Sequence, residues 1–152
     1  MQMLSVYLND HFAGATGAMS RVRYAASRYD GELGAFFSQI AREIDADRDA
    51  LRRVMDAEGV RVAYPKLVLA WAGEKAGRLK LNGRLTRQSP LTPFLELEAL
   101  ELGITGKLLL WKALREKRPP GASAVDLDDL ITRAESQRAD VERQRLAAAP
   151  ST

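Results

Sequence analysis

The sequence predicts an all-α protein, and three observations carry that prediction. Ala (23) and Leu (21) far outnumber Val, Ile and Thr together (18), and unbranched side chains favour helices whereas β-branched ones favour strands. Apolar residues recur at three- and four-residue spacing along the chain, and no segment alternates with period two. The length of 152 residues suits one core, so we expect residues 1–152 to form a single helical-bundle domain.

Two long helices open the chain. The apolar spacing predicts helices over about 3–29 and about 32–58. Asp30 and Gly31 form the turn between them, and Gly59 supplies the residue that ends the second helix. Because the connection is so short, we expect the two helices to pack side by side in antiparallel directions.

Three further helices follow in the prediction. Pro65 suits the first position of a shorter, basic helix over about 65–87. A fourth helix, over about 91–117, carries apolar residues on two sides, which is typical of a central helix or of one at an oligomer contact. Asp126 caps a fifth helix over about 127–148. The predicted architecture is therefore four long helices plus a shorter connecting helix.

Composition excludes several classes of protein. The absence of Cys removes disulfides, thiolate metal sites and cysteine nucleophiles, and a single His removes chemistry that needs two imidazoles. No apolar run approaches the roughly 18 residues of a membrane span. The first 14 residues lack the basic start and unbroken apolar run of a signal peptide. We expect a cytoplasmic protein without a membrane span.

A few titratable residues lie within the apolar stripes of the first two helices. His11 lies near the centre of the first stripe, Asp47 lies within the second, and Glu43 lies one turn before Asp47. Counted outward from the turn, His11 and Asp47 fall near the same level and should face each other. Two interpretations stay open: a buried His–Asp pair that only orients the helices, or a metal or small-ligand site.

The third helix supplies a second possible partner for these carboxylates. Glu74 and Arg78 share the apolar side of that helix. Buried carboxylates repel one another unless one takes up a proton or accepts a cation. We expect Arg78 to be that internal cation, in the place that a metal would otherwise take.

Four stretches of the sequence carry a resemblance to a known family. They are Tyr7–His11, Glu43–Arg48, Glu74–Asn82 and Leu95–Leu100. With the order of helices, they resemble an uncharacterised bacterial family of ferritin-like helical bundles, distantly similar to stress-linked ferritin-like metal-binding proteins. The resemblance covers nearly the whole chain and implies an up-down bundle in which a helical crossover links two antiparallel pairs.

The resemblance also implies a set of metal ligands. His11 would stand at the ligand position of the first helix, Glu43 and Asp47 at those of the second, and Glu101, with Glu98 as the alternative, at that of the fourth. Neither Glu-x-x-His motif of the family is present, and the fifth helix has Arg138 where His is usual. No cofactor is required on this interpretation. A metal held by this oxygen-rich set would be iron or manganese.

The predicted function is that of a non-enzymatic ferritin-like bundle, a homodimer, with at most one weak metal or small-ligand site between helices. An alternative is an anion-binding module that contacts nucleic acid or lipid phosphates through Lys66, Lys80, Arg84 and Arg87. A third is a partner-binding protein that uses the second apolar side of the fourth helix, formed by Leu97, Ile104, Leu108 and Trp111.

Overall fold

The structure, a computed structural model, describes residues 2–65, 69, 73 and 91–150. In this part of the chain every regular element is helical: α1 (Gln2–Arg28), α2 (Gly31–Ala57), α3 (Thr92–Lys117) and α4 (Leu127–Ala147), with a short 3-10 helix (Pro120–Ala124) before α4. The all-α prediction is confirmed, and four of the five predicted helices begin and end within about two residues of the observed ones. Of the predicted helix over 65–87, the structure describes only residues 65, 69 and 73. The rest of that helix lies outside the described residues.

The helix ends follow the predicted chemistry. Gly59 has a left-handed backbone with φ 66°, and the amide of Val60 donates to the carbonyl oxygen of Met55 at 2.8 Å, as in the glycine-terminated ends common to helices. The Asp126 carboxylate accepts from the Asp129 amide at 3.0 Å and caps α4. At the end of α3, Arg118 adopts the left-handed conformation that glycine usually provides.

The helices form two antiparallel pairs that lie along each other. α1 packs on α2 and α3 packs on α4. Tyr29, just before α2, donates to Glu96 near the start of α3, and Asp47, late in α2, accepts from Lys107, late in α3. α2 and α3 therefore run in the same direction, so the end of α2 and the start of α3 lie at opposite ends of the bundle.

The two apolar sides of α3 have different surroundings. Leu97, Leu100, Ile104, Leu108 and Trp111 are buried in the core. The prediction that part of this side forms a partner-binding patch is therefore wrong, because it packs within the chain. The exposed apolar residues of α3 are on the other side, where Leu102 is 74% exposed. The predicted homodimer stays a prediction.

Two polar side chains hold the connections against the helices. Asn9, buried in α1, accepts from the amide of Ala63 at 2.7 Å and donates to the carbonyl oxygen of Arg61 at 3.1 Å. Glu58, which follows α2, accepts from the amide of Gly121 in the 3-10 helix. Of the helices in the described part of the chain, none is sufficiently long and apolar to cross a bilayer.

Candidate ligand-binding cavity

A polar network lies between α2, α3 and α4, with Asp47 at its centre. Asp47 is only 3% exposed, and its Oδ1 accepts from the guanidinium of Arg133, with the Nε–Oδ1 distance at 2.8 Å. Its Oδ2 accepts from Lys107 and, at 3.2 Å, from Nε2 of Gln137. Gln137 also accepts from Lys107 through Oε1 and donates to Glu43 at 3.0 Å. Asp47 thus accepts from three side chains and Gln137 contacts three, so these buried polar groups avoid the cost of desolvation.

The network balances its charges internally. Two carboxylates, Glu43 and Asp47, are matched by two cations, Lys107 and Arg133. Burial lowers the pKa of the Lys107 ammonium below its ordinary value, and the charge and hydrogen bond of Asp47 oppose that shift. The arrangement is therefore a neutral, hydrogen-bonded cluster that fixes α2 against α3 and α4.

Sequence reasoning found Asp47 and Glu43 but missed three of their partners. Lys107 and Gln137 each lie among the buried apolar residues of their helix, with Ile104 and Trp111 around the first and Ala134 and Val141 around the second. Asp47 was identified as a polar residue within an apolar stripe. The same criterion, applied to the fourth and fifth predicted helices, identifies Lys107 and Gln137. Arg133 gives no such signal, because it lies at the edge of the stripe.

His11 and Asp47 do not form the predicted pair. Asp47 is occupied by partners from α3 and α4, while the His11 ring contacts Tyr7 edge-on, with ring centroids 4.7 Å apart. Burial lowers the pKa of the His11 imidazole, against the opposing charge of Asp10, so the ring is neutral at neutral pH. Both residues do line one cavity.

The predicted metal ligands do not fit a metal ion. Both oxygens of Asp47 already accept from cations, and Glu101 accepts from Arg138 at 2.6 Å on the opposite side of α3. Glu43 accepts from two glutamine amides. In the described part of the chain, no group of three or more His, Asp or Glu side chains could hold a metal. The set His11, Glu43, Asp47 and Glu101 is therefore dispersed among protein partners.

Among the described residues, the cations that meet Asp47 are Lys107 and Arg133. Arg78 and Glu74 lie outside the described residues. The same is true of Lys66, Lys80, Arg84 and Arg87, the four residues of the proposed anion-binding stripe.

A cavity of about 460 Å³ lies between α1, α2 and α3. Its lining runs from Tyr7 to Ala25 on α1, from Phe37 to Leu51 on α2 and from Glu96 to Trp111 on α3. Small residues on α1 and α3 create the space: a Cβ added at Gly14, Gly103 or Gly106 would meet nothing within 4 Å. The walls are mostly apolar, which is the usual character of small-molecule sites.

Two hydrogen-bond donors at this cavity have no acceptor among the residues that the structure describes. Nε1 of Trp111 is unpartnered although the side chain is 1% exposed, and Nε of Arg21 is buried without a partner. At one end, Glu96 accepts from Tyr29 at 2.6 Å, so this carboxylate already has a donor. Burial, and then the hydrogen bond to Glu96, raise the pKa of the Tyr29 phenol, which therefore keeps its proton.

The chain was compared with protein-family models, with curated proteins and with solved structures, and none of them matches it. The interpretation of the site therefore depends on its own geometry.

Proposed function

We propose that this protein is a non-enzymatic helical bundle that binds an apolar small molecule in the cavity between α1, α2 and α3. The observation that carries the proposal is the cavity itself: about 460 Å³ of mostly apolar space bordered by the unpartnered indole donor of Trp111. Unfilled apolar space costs packing energy, and a ligand that fills it recovers that energy.

Binding is favoured over catalysis by what the polar residues around the cavity already do. Asp47 and Lys107 belong to a neutral network, and Glu96 accepts from Tyr29. His11 is the single imidazole of the sequence and stands apart from that network. A catalytic site needs an acid, a base or a nucleophile free to act on a substrate, whereas Asp47, Lys107 and Glu96 are engaged in contacts between helices.

The helix directions support a ferritin-like arrangement for this bundle. α1 and α2 form one antiparallel pair, α3 and α4 form another, and α2 runs parallel to α3, with the end of α2 and the start of α3 at opposite ends of the bundle. That is the connectivity of ferritin-like folds. The dinuclear metal site of such folds is replaced in this proposal by the neutral cluster around Asp47 and by an apolar site beside it.

A fluorescence titration with phenylnaphthylamine, an apolar dye that emits in apolar surroundings, tests the proposal. We expect saturable binding to the full chain. Gly106→Leu should weaken it by at least about tenfold, because the new side chain occupies space that the Gly106 backbone leaves open. Leu is also a better helix former than Gly, so the variant should remain folded.

Ala139→Leu is the matched control, since Ala139 is exposed on α4 and α4 contributes nothing to the described lining. It should bind the dye as the wild type does. A wild-type protein that does not bind the dye, or a Gly106→Leu variant that binds it as tightly as the wild type, would overturn the proposal.

A further inference from the structure

The cavity is long in comparison with its volume. On α1 its lining extends from Tyr7 to Ala25, which at ~1.5 Å per residue is about 27 Å. On α3 the lining from Glu96 to Trp111 covers about 22 Å by the same measure. A volume of about 460 Å³ distributed over that length is a channel between helices. Such a shape suits an extended chain better than a compact ring system.

One side of this channel is open to solvent. Tyr7, Asp10 and Gly14 on α1 and Leu102 and Gly103 on α3 all line the cavity and are exposed. A ligand can therefore keep a polar end in water while its apolar part lies between the helices. This is the arrangement that an amphiphile requires.

The charged residues along the channel differ in whether they have partners. Lys107 pairs with Asp47, and Arg48 pairs with Asp45 at 3.0 Å. Arg21 is the lining cation for which no ion pair forms among the described residues, and its Nε is buried without an acceptor. The side chain as a whole is half-buried, as is usual for a long cationic side chain whose stem packs on apolar surface.

None of the carboxylates that line the cavity accepts a hydrogen bond from Arg21. Asp47 accepts from Lys107 and Arg133, Glu96 accepts from Tyr29, and Asp10 has an interaction of its own within the protein. Arg21 is therefore available to an anionic ligand, and a carboxylate suits its guanidinium because both are planar and oppositely charged.

We infer that the cavity binds a single-chain amphiphile with a carboxylate head, a fatty acid in chemical terms, with its head at Arg21 and its chain along the channel. The inference depends on the proposed function and specifies its ligand class. Arg21 supplies the charge that selects the head, and the apolar walls supply affinity in proportion to the chain that they cover. Binding should therefore depend on both ends of the ligand.

Displacement of phenylnaphthylamine by straight-chain carboxylates, each below its micelle concentration, tests the dependence on chain length. Each added methylene should tighten binding by about fourfold until the channel is full. A series from octanoate to palmitate covers both the range in which affinity increases with chain length and the range in which it no longer changes. Affinity that does not change along the series, while the dye still binds, would overturn the assignment of a chain ligand and leave the proposed function intact.

A comparison of laurate with dodecanol tests the head. Arg21→Gln should weaken laurate by about tenfold or more, the effect of losing a charge-assisted hydrogen bond, and should leave dodecanol unchanged. Arg23→Gln is the matched control, because Arg23 is on the same helix, is exposed and pairs with Asp45 away from the lining. Equal losses for laurate and dodecanol, or no loss for either in Arg21→Gln, would overturn the role of Arg21. Failure of the dye itself to bind is the separate result that rejects the proposed function.

Discussion

Lys107 donates to the buried carboxylate of Asp47, and the two residues lie at nearly the same distance from the starts of their helices. Asp47 lies 16 residues after Gly31, the first residue of α2, and Lys107 lies 15 residues after Thr92, the first residue of α3. Tyr29 and Glu96 meet near the starts of the same two helices. These two contacts fix the parallel register of α2 and α3, on which the position of the cavity depends.

Asp47→Ala should be strongly destabilising. It removes the acceptor shared by Lys107 and Arg133 and leaves two cations in a largely buried site, so we expect a loss of about 3–5 kcal/mol in the free energy of unfolding. Denaturant titration at neutral pH measures it. Asp49→Ala, two residues along the same helix at an exposed position, should change the free energy by less than about 0.5 kcal/mol. Similar values for the two variants would contradict the network.

Tyr29 should make the protein less stable at alkaline pH. Because its pKa is raised in the folded state, the native protein keeps a proton that the unfolded chain loses near pH ~10. The contribution of Tyr29 to stability is therefore fully present below that pH and declines above it. At neutral pH, Tyr29→Phe should cost about 1–3 kcal/mol, since Glu96 loses its donor.

The difference in free energy of unfolding between wild type and Tyr29→Phe should shrink from about pH 8 to about pH 11. Tyr64→Phe, at a side chain that is 71% exposed, controls for the loss of a phenol. A difference for Tyr29→Phe that stays constant over this range would contradict the contact with Glu96.

Gly34 should not tolerate a side chain. A Cβ at this position would lie 2.9 Å from the carbonyl carbon of Tyr29 and closer still to its oxygen, and backbone cannot move aside as a flexible side chain can. We expect Gly34→Ala to cost about 2–4 kcal/mol. Gly14→Ala, where a Cβ meets nothing within 4 Å, should instead stabilise by about 0.5–1 kcal/mol. Thermal unfolding measures the stability of both variants. Equal changes in stability for Gly34→Ala and Gly14→Ala would be evidence against the tight α1–α2 turn.

Iron(II), manganese or zinc should not raise the melting temperature of the wild-type protein. The oxygens of Asp47 and Glu101 already accept from Lys107, Arg133 and Arg138, and a metal would have to displace these cations. Differential scanning fluorimetry with each ion measures the shift. A rise with added metal that disappears in Asp47→Asn would restore the metal-site interpretation.

The sequence predicted the helices well because their signals are local. Apolar spacing, the left-handed Gly59 and the Asp126 cap each depend on residues within a turn or two, and the structure confirms them. The sequence also predicted that Asp47 is buried. That prediction needs only the apolar pattern of a single helix, because the carboxylate lies within the apolar stripe.

The partners of Asp47 could not be predicted in the same way. His11 was chosen because the first two helices share a short turn, which fixes their relative level. Lys107 and Arg133 reach Asp47 across 60 and 86 residues, and their approach depends on how the two helix pairs pack. The cavity is a property of that packing too, because the space beside Gly14, Gly103 and Gly106 exists only once the helices have packed.

Thermal unfolding with phenylnaphthylamine present at a hundred times its dissociation constant tests the central claim most directly. A ligand that binds only the native cavity should stabilise the wild type and Ala139→Leu by about 2.7 kcal/mol, a rise of about 5–10 °C in melting temperature for a chain of this size. Gly106→Leu, whose affinity for the dye should be at least about tenfold lower, should show a rise of at most about half that size. An unchanged wild type, or an equal rise in Gly106→Leu, would contradict a ligand site between α1, α2 and α3.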